Sequence, residues 1–324
     1  MLFTFSAAPK ILILNPISAR QQALILAASP QAEIVTSDLK HAAEHIHDTE
    51  ILAAWGFNNI QPFYAQAKNL KWIHALTAGV EFLLFPETQQ SPVLISNSKG
   101  IHGIPMAEHV LGMMLSFTRR LNLLHKQQQQ HLWQRPPIEE LQEINGKTLA
   151  VLGLGAIGSE IAKKAKLMDM RVIAAKREMT QEPFVDHLYR PEQLLEMLAE
   201  ADFVVVALPL TDATTGLMGR DAFAAMKPSA YFINVSRGAV VQEDALLAAL
   251  QAGQLAGAGL DVFMEEPLPA DSPFWDLPNV IITPHLSAIS PVYLDRAIKL
   301  FSENLACYIN GAPLLTPIDK TRGY

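Results

Sequence analysis

Short apolar runs alternate along the chain with stretches in which apolar residues recur every three to four positions. Residues 11–14, 34–36, 51–55, 72–76 and 93–96 read as buried strands. Helical stretches between them predict crossover connections and therefore a parallel sheet. Over residues 104–130, Met106, Val110, Met113, Met114, Phe117 and Leu121 fall at mixed three- and four-residue spacings, ending in four consecutive glutamines. That spacing predicts one long helix, of a length that suits packing against a partner subunit. A second series begins at Lys147, with strands predicted at 150–152, 172–174, 203–207, 232–235, 257–261 and 280–282. Six strands in this order suit a Rossmann-like sheet. One more helical pattern, 292–309, follows with no strand left to pair.

With 324 residues, 50% of them apolar, the chain exceeds one ordinary core, and two domains are expected. The fold class is α/β. The longest apolar runs stay far below the roughly 20 residues that a membrane-spanning helix needs. Residues 1–8 lack the basic and hydrophobic regions of a secretory signal, so a cytoplasmic location is the expectation. Cys307 is the single cysteine, which excludes an intramolecular disulfide and a cysteine-based metal cluster. A net charge of −7 without a long basic run argues against nucleic acid or an anionic membrane as partner. A small anionic substrate responds to local charge alone.

Gly153-Leu154-Gly155-Ala156-Ile157-Gly158 follows an apolar strand and precedes a helical pattern. In that setting Gly153 permits a tight turn, Gly155 lets backbone approach a pyrophosphate, and Gly158 allows close helix-to-strand packing. Ala156 and Ile157 open the helix, whose N-terminus favours an anion. These residues predict a dinucleotide site; the bland alternative is a glycine turn in an α/β domain without ligand. The coenzyme is decided about 20 residues further on, where an acid accepts the ribose hydroxyls of NAD. Here Lys176 and Arg177 follow the second strand, which suits the 2′-phosphate of NADP(H) through charge-assisted hydrogen bonds. NAD(H) stays open as the alternative, with Glu178 reaching the ribose.

Downstream stand Arg237, Glu266 and His285, each at the carboxyl end of a predicted strand or in the loop after it. Open parallel sheets place their ligands at those ends. A histidine can pass a proton near neutral pH, a carboxylate can orient it, and a guanidinium fork can hold a carboxylate as lysine cannot. The other histidines lack such context. His41, His45 and His47, at helical spacing, read as a solvated face rather than a metal site, and His102 and His109 receive no role. No metal is expected.

The runs NVSRGAVV (234–241), GLDVFMEEPLP (259–269) and ITPHLSA (282–288) closely resemble the D-isomer-specific 2-hydroxyacid dehydrogenases, and the resemblance covers nearly the whole chain. It implies reversible NAD(P)H-dependent reduction of a small 2-keto acid, such as glyoxylate or hydroxypyruvate, to a D-2-hydroxy acid. His285 would be the proton donor, Glu266 its orienter and Arg237 the clamp on the substrate carboxylate. The resemblance places backbone donors to that carboxylate at Ala78, Gly79 and Val80. It assigns Asp261 to the nicotinamide carboxamide and sets Leu208, Pro209 and Val235 along the cofactor. It returns helix 292–309 to the first domain, so that 1–98 with 287–324 form the substrate-binding domain and 99–286 the dinucleotide domain. Two such Rossmann-like or flavodoxin-like domains would meet at an active-site cleft. A homodimer is also implied, and Trp133 sits where a tryptophan of some relatives reaches the partner's active site. Trp55, Gly56 and Phe57 are candidates for the side-chain pocket or for ordinary core. The alternative class is a nucleotide-sensing binding protein or corepressor on the same fold, distinguished by cofactor-dependent partner binding without turnover.

Overall fold

The structure is a computed structural model that describes residues 8–321. Among these, the apolar runs form twelve strands in two sheets, and every pair of neighbouring strands is parallel. The chain divides into one unit of residues up to Ile101 with those from Ser290, and a second unit, His102–Ile289. Among the described residues no helix is long and apolar enough to cross a membrane.

The first unit carries β1 (Lys10–Ile13), β2 (Glu33–Thr36), β3 (Ile51–Ala54), β4 (Trp72–Ala75) and β5 (Leu94–Asn97), in the order β2-β1-β3-β4-β5. That is the flavodoxin-like order. The helix Tyr293–Ile309 packs beside the helix Ala19–Ala28. Ala297, Ile298, Phe301, Leu305 and Tyr308 recur on it at three- and four-residue spacing and form one buried stripe. Trp72 stacks between Phe301 and Tyr308, with ring centroids 5.3 Å apart in each pair. Beside it His74 has no exposed surface. An indole N–H can only donate, so Trp72 Nε1 gives its proton to Ser96 Oγ at 2.8 Å and the Ser96 hydroxyl turns to His74 Nδ1, also at 2.8 Å. His74 then donates from Nε2 to Ser98 Oγ at 3.2 Å, and Ser98 donates to the Ala75 carbonyl. The buried ring is neutral and fully partnered. The stretch 41–47, expected as a helix face, forms two short 3₁₀ turns, and His41 pairs with Asp38.

The second unit carries β6 (Thr148–Leu152), β7 (Arg171–Ala175), β8 (His187–Tyr189), β9 (Phe203–Val206), β10 (Tyr231–Asn234), β11 (Gly257–Leu260) and β12 (Val280–Ile282), in the order β12-β11-β10-β9-β6-β7-β8. Strand order reverses between β6 and β9, and the crevice outside their carboxyl ends is where such sheets bind ligands. The seventh strand, β8, lies beyond the six expected: its sequence, His187-Leu188-Tyr189 with His187 exposed, is no continuous apolar run. The helix Gly103–Thr118 packs on the helix Ala156–Lys166 and over β10 and β11. A Cβ on Gly259 would stand 2.6 Å from Met113 Sδ, so the bare strand is what lets the helix lie close. The long helix expected over 104–130 is two helices. It stops at Thr118, Arg120 takes φ 54°, and a second helix runs Leu121–Gln129. That second helix buries no residue, consistent with the apolar periodicity ending at Leu121.

Candidate active site

The three loops after β10, β11 and β12 converge through specific local chemistry. After β10, the buried Asn234 accepts from the Ser236 backbone N–H at 3.0 Å and the Ser236 hydroxyl at 2.9 Å, and donates to the Arg237 carbonyl at 3.1 Å. This turn presents Arg237, half-buried, with Nη1 donating to the Ser236 carbonyl at 2.8 Å. The next residue must be glycine, because a Cβ on Gly238 would stand 2.0 Å from the carbonyl carbon of Phe263. The loop that follows β11 and carries Glu266 therefore lies directly against the turn that carries Arg237.

Within that second loop Glu266 curls back, its Oε1 accepting from the Phe263 N–H at 3.0 Å. Its Oε2 lies 2.7 Å from His285 Nδ1. An ionised carboxylate only accepts, so Nδ1 carries the proton and Nε2 is the atom left to face a reactant. Both side chains are partly open, His285 at 49% and Glu266 at 34%, as expected of groups that meet a ligand.

His285 holds φ 51°, a left-handed conformation that costs a non-glycine residue about 1 kcal/mol. Asp261, at the end of β11 and 1% exposed, supplies the compensation. Its carbonyl accepts the His285 N–H at 2.8 Å. Its Oδ1 accepts the Thr283 hydroxyl at 2.5 Å and the Leu286 N–H at 3.0 Å, and its Oδ2 accepts the Ser287 N–H at 3.0 Å. Burial alone would raise the Asp261 carboxyl, but the hydrogen bonds from Ser287, Thr283 and Leu286 outweigh it and hold the group below the usual aspartate range. Asp261 thus grips both sides of His285, a task that no local sequence signal announces. His102, 6% exposed at the start of its helix, is driven down to about 4 by burial and by the charge of Arg237, which places a neutral imidazole in the field of that guanidinium.

The glycine loop follows β6. Gly153 takes φ 98°, and a Cβ on Gly158 would stand 1.8 Å from the Gly153 carbonyl oxygen. A Cβ on Gly155 would meet nothing within 4 Å, so that position faces open space. The helix Ala156–Lys166 starts there with no side chain capping its first N–H groups. A cavity of about 480 Å³ adjoins, lined by Gly153, Lys176, Arg177, Glu178 and Leu208 among others. Pro191, Leu194 and Leu217 also line it; they come from segments that carry no motif. Pro209 is exposed beside it, and Val235 is buried at the end of β10. Lys176 is engaged: it pairs with Glu182 and donates to Thr180 Oγ1 at 2.8 Å. Arg177 is exposed on the rim.

The model of the D-isomer specific 2-hydroxyacid dehydrogenase NAD binding domain matches residues 111–287. The chain belongs to the D-isomer specific 2-hydroxyacid dehydrogenase family. It is accordingly an oxidoreductase with a nicotinamide-dinucleotide-binding domain. Among solved structures of this family, a member from Aeromonas salmonicida subsp. salmonicida A449 is 38% identical, with TM-score 0.88 over 96% of this chain and 99% of that one. An NADPH-dependent glyoxylate/hydroxypyruvate reductase from Sinorhizobium meliloti, solved with NADP and sulfate, is 29% identical, with TM-score 0.81 over 98% and 100%. The glyoxylate/hydroxypyruvate reductase A of Yersinia enterocolitica is 34% identical over 82% of this chain and 85% of its own length. Against the D-3-phosphoglycerate dehydrogenase of Archaeoglobus fulgidus, 32% identical, the chain spans only 48% of that protein's length.

The residues fit the family's dinucleotide. The open space at Gly155, the uncapped helix start and the adjoining cavity form a cradle for pyrophosphate and the adenosine end. Gly238, Asn234 and Thr283 are the members of the site that the sequence reading did not single out.

Proposed function

We propose that this chain reduces a small 2-keto acid to the D-2-hydroxy acid and prefers NADPH to NADH. The observation that carries the reading is the 2.7 Å His285–Glu266 pair. With Nδ1–H fixed on the carboxylate, Nε2 is the group that passes a proton to the substrate carbonyl oxygen, a contribution of roughly 10² to 10⁴ in rate. The bound nicotinamide supplies the hydride to C2. Arg237 clamps the substrate carboxylate and polarises the carbonyl. In the first unit, the backbone N–H groups of Ala78, Gly79 and Val80 are the donors suited to a substrate carboxylate. Their loop is shaped by Thr77 Oγ1, which donates to the Gly79 carbonyl at 2.7 Å, and by Asn97 Nδ2, which donates to the Ala78 carbonyl at 2.6 Å. In this reading His102–Ile289 is the dinucleotide-binding unit and the other unit binds substrate. Leu208, Pro209 and Val235 exclude water along the cofactor. Asp261 would be the partner of the nicotinamide carboxamide.

The coenzyme preference rests on the cations at the end of β7. Arg177 is exposed on the cavity rim and takes the 2′-phosphate first, while Lys176 is shared with Glu182. The Sinorhizobium relative, solved with NADP, supports the same choice. A homodimer completes the proposal: the helix Leu121–Gln129 buries nothing, and Leu132 at 51% and Trp133 at 98% exposure follow it. Cytoplasmic location belongs to the same reading, with a single cysteine suited to a reducing compartment. The test is oxidation of NADPH and NADH at matched concentrations against glyoxylate, hydroxypyruvate, pyruvate, phenylpyruvate and oxaloacetate. Faster NADPH turnover on at least one of them is expected. Tight NADPH binding with no turnover on any would overturn the reading.

A further inference from the structure

His109 carries no motif, yet the structure ties it to the loop that holds the proton donor. It projects from the helix Gly103–Thr118, and its side chain is only 17% exposed. His109 Nε2 lies 3.1 Å from Thr283 Oγ1 and 3.9 Å from Asp261 Oδ1. The directions of these bonds follow from what each group can do. The Asp261 carboxylate accepts only, so the Thr283 hydroxyl spends its single proton on Oδ1 at 2.5 Å. Thr283 Oγ1 must then accept from His109, and His109 must hold its proton on Nε2. The bonds converge on Asp261: one runs from the helix through Thr283, and the others are donated to it by the N–H groups of His285, Leu286 and Ser287.

We propose that His109 is a positioning residue for His285, acting through Thr283 and Asp261 to hold the 283–287 loop in the left-handed turn that aims the imidazole. A single hydroxyl rotor can point elsewhere; a donor behind it leaves only the orientation toward Asp261. Burial lowers the affinity of His109 for a second proton and the Asp261 charge raises it, with burial the larger effect and the net shift downward. The neutral, Nε2-protonated form is the one that fits this chain of bonds. His109 does not touch the reacting atoms in this scheme. Its effect is on where His285 stands, and so on kcat rather than on substrate capture.

The inference rests on the proposed reductase reaction, and its test separates the two. His109→Leu and Thr283→Val remove the donor and the relay; His109→Gln and Thr283→Ser keep a donor and a hydroxyl. Backbone hydrogen exchange of the peptide spanning 283–287 is measured in all four with the wild type, alongside kcat, KM, NADPH affinity and thermal unfolding. In His109→Leu and Thr283→Val, exchange at 285–287 is expected to rise about tenfold, the effect of losing one hydrogen bond from the chain that fixes the loop. In the same two variants kcat falls about tenfold, while KM and NADPH affinity stay within about twofold. The double variant is no worse than the poorer single one, as for residues acting in one chain. Thr283→Ser and His109→Gln recover most of both effects. Unchanged exchange in both disruptive variants overturns the proposal, as does faster exchange with kcat intact, which would make the contact an anchor without catalytic consequence. A wild type that turns over no keto acid refutes the reaction reading, while the exchange arm still decides whether His109 holds the loop.

Discussion

Replacing Glu182 by Gln should make the protein bind NADPH more tightly without changing its affinity for NADH. Lys176 is the only described cation paired with Glu182, and their side chains are 27% and 21% exposed. A 2′-phosphate seeking Lys176 must displace that carboxylate, so much of the attraction is offset by the pair it breaks. A charge-assisted hydrogen bond contributes about 1.5 to 3 kcal/mol. At a site open enough for solvent to screen it, the lower end applies, and freeing Lys176 should add about 1.5 kcal/mol, or roughly tenfold in Kd. NADH has no 2′-phosphate and should bind within about twofold of its wild-type value, because a neutral amide in place of Glu182 leaves the pyrophosphate cradle untouched. The converse variant, Arg177→Ala, removes one or two such bonds and should weaken NADPH by about ten- to a hundredfold, again sparing NADH. The assay is titration of each coenzyme into each protein by calorimetry, with no substrate present, so the outcome does not depend on turnover. If Glu182→Gln leaves NADPH affinity unchanged, Lys176 does not meet the phosphate. If wild type and Arg177→Ala both bind the two coenzymes alike, the end of β7 is not the phosphate site at all.

Three further outcomes are expected. Arg237→Lys should raise KM for the keto acid and lower kcat together, by tenfold or more in kcat/KM, since an ammonium cannot reproduce the planar fork; steady-state kinetics at saturating NADPH checks it, and unchanged values would remove Arg237 from the clamp. Gly238→Ala forces a Cβ to within 2.0 Å of the Phe263 backbone, so the Glu266 loop must move, and kcat should fall even though the new methyl touches no reactant. His74 sets a pH dependence: burial drives it from 6.5 to about 3. A base depressed in this way adds stability that is complete above its unfolded pKa and is lost as pH falls from about 6.5 toward 3. At pH 5 the loss is about 2 kcal/mol, and in His74→Gln the fall in denaturant stability between pH 7 and pH 5 should shrink by about that much.

What the sequence made legible was the part written in local pattern. Buried strands appear as apolar runs, the Gly153, Gly155 and Gly158 spacing encodes a turn and a close packing that the structure shows atom by atom, and each of Arg237, Glu266 and His285 sits in the loop after a strand. What stayed hidden depends on contacts between residues far apart in the chain. Asp261 reads as a strand-end residue, but its worth lies in four groups of a loop more than twenty positions away. Gly238 looks like turn punctuation until the Phe263 backbone is found against it. Lys176 reads as an available cation for a different reason: Glu182 is only six positions on, but in an irregular loop no period tells which way its side chain turns. The break at Arg120 is hidden because residues 115–125 contain neither glycine nor proline, the usual marks of a helix end.

The proposed reaction depends above all on His285 as the proton donor held by Glu266. The measurement that tests it is the single-turnover rate of NADPH oxidation with the preferred keto acid, wild type against His285→Ala, with NADPH affinity measured on the same samples. A rate lower by roughly 10² to 10⁴ is expected, with coenzyme affinity nearly unchanged. An equal rate in the two proteins would contradict it, and would mean that the proton reaches the substrate by another route.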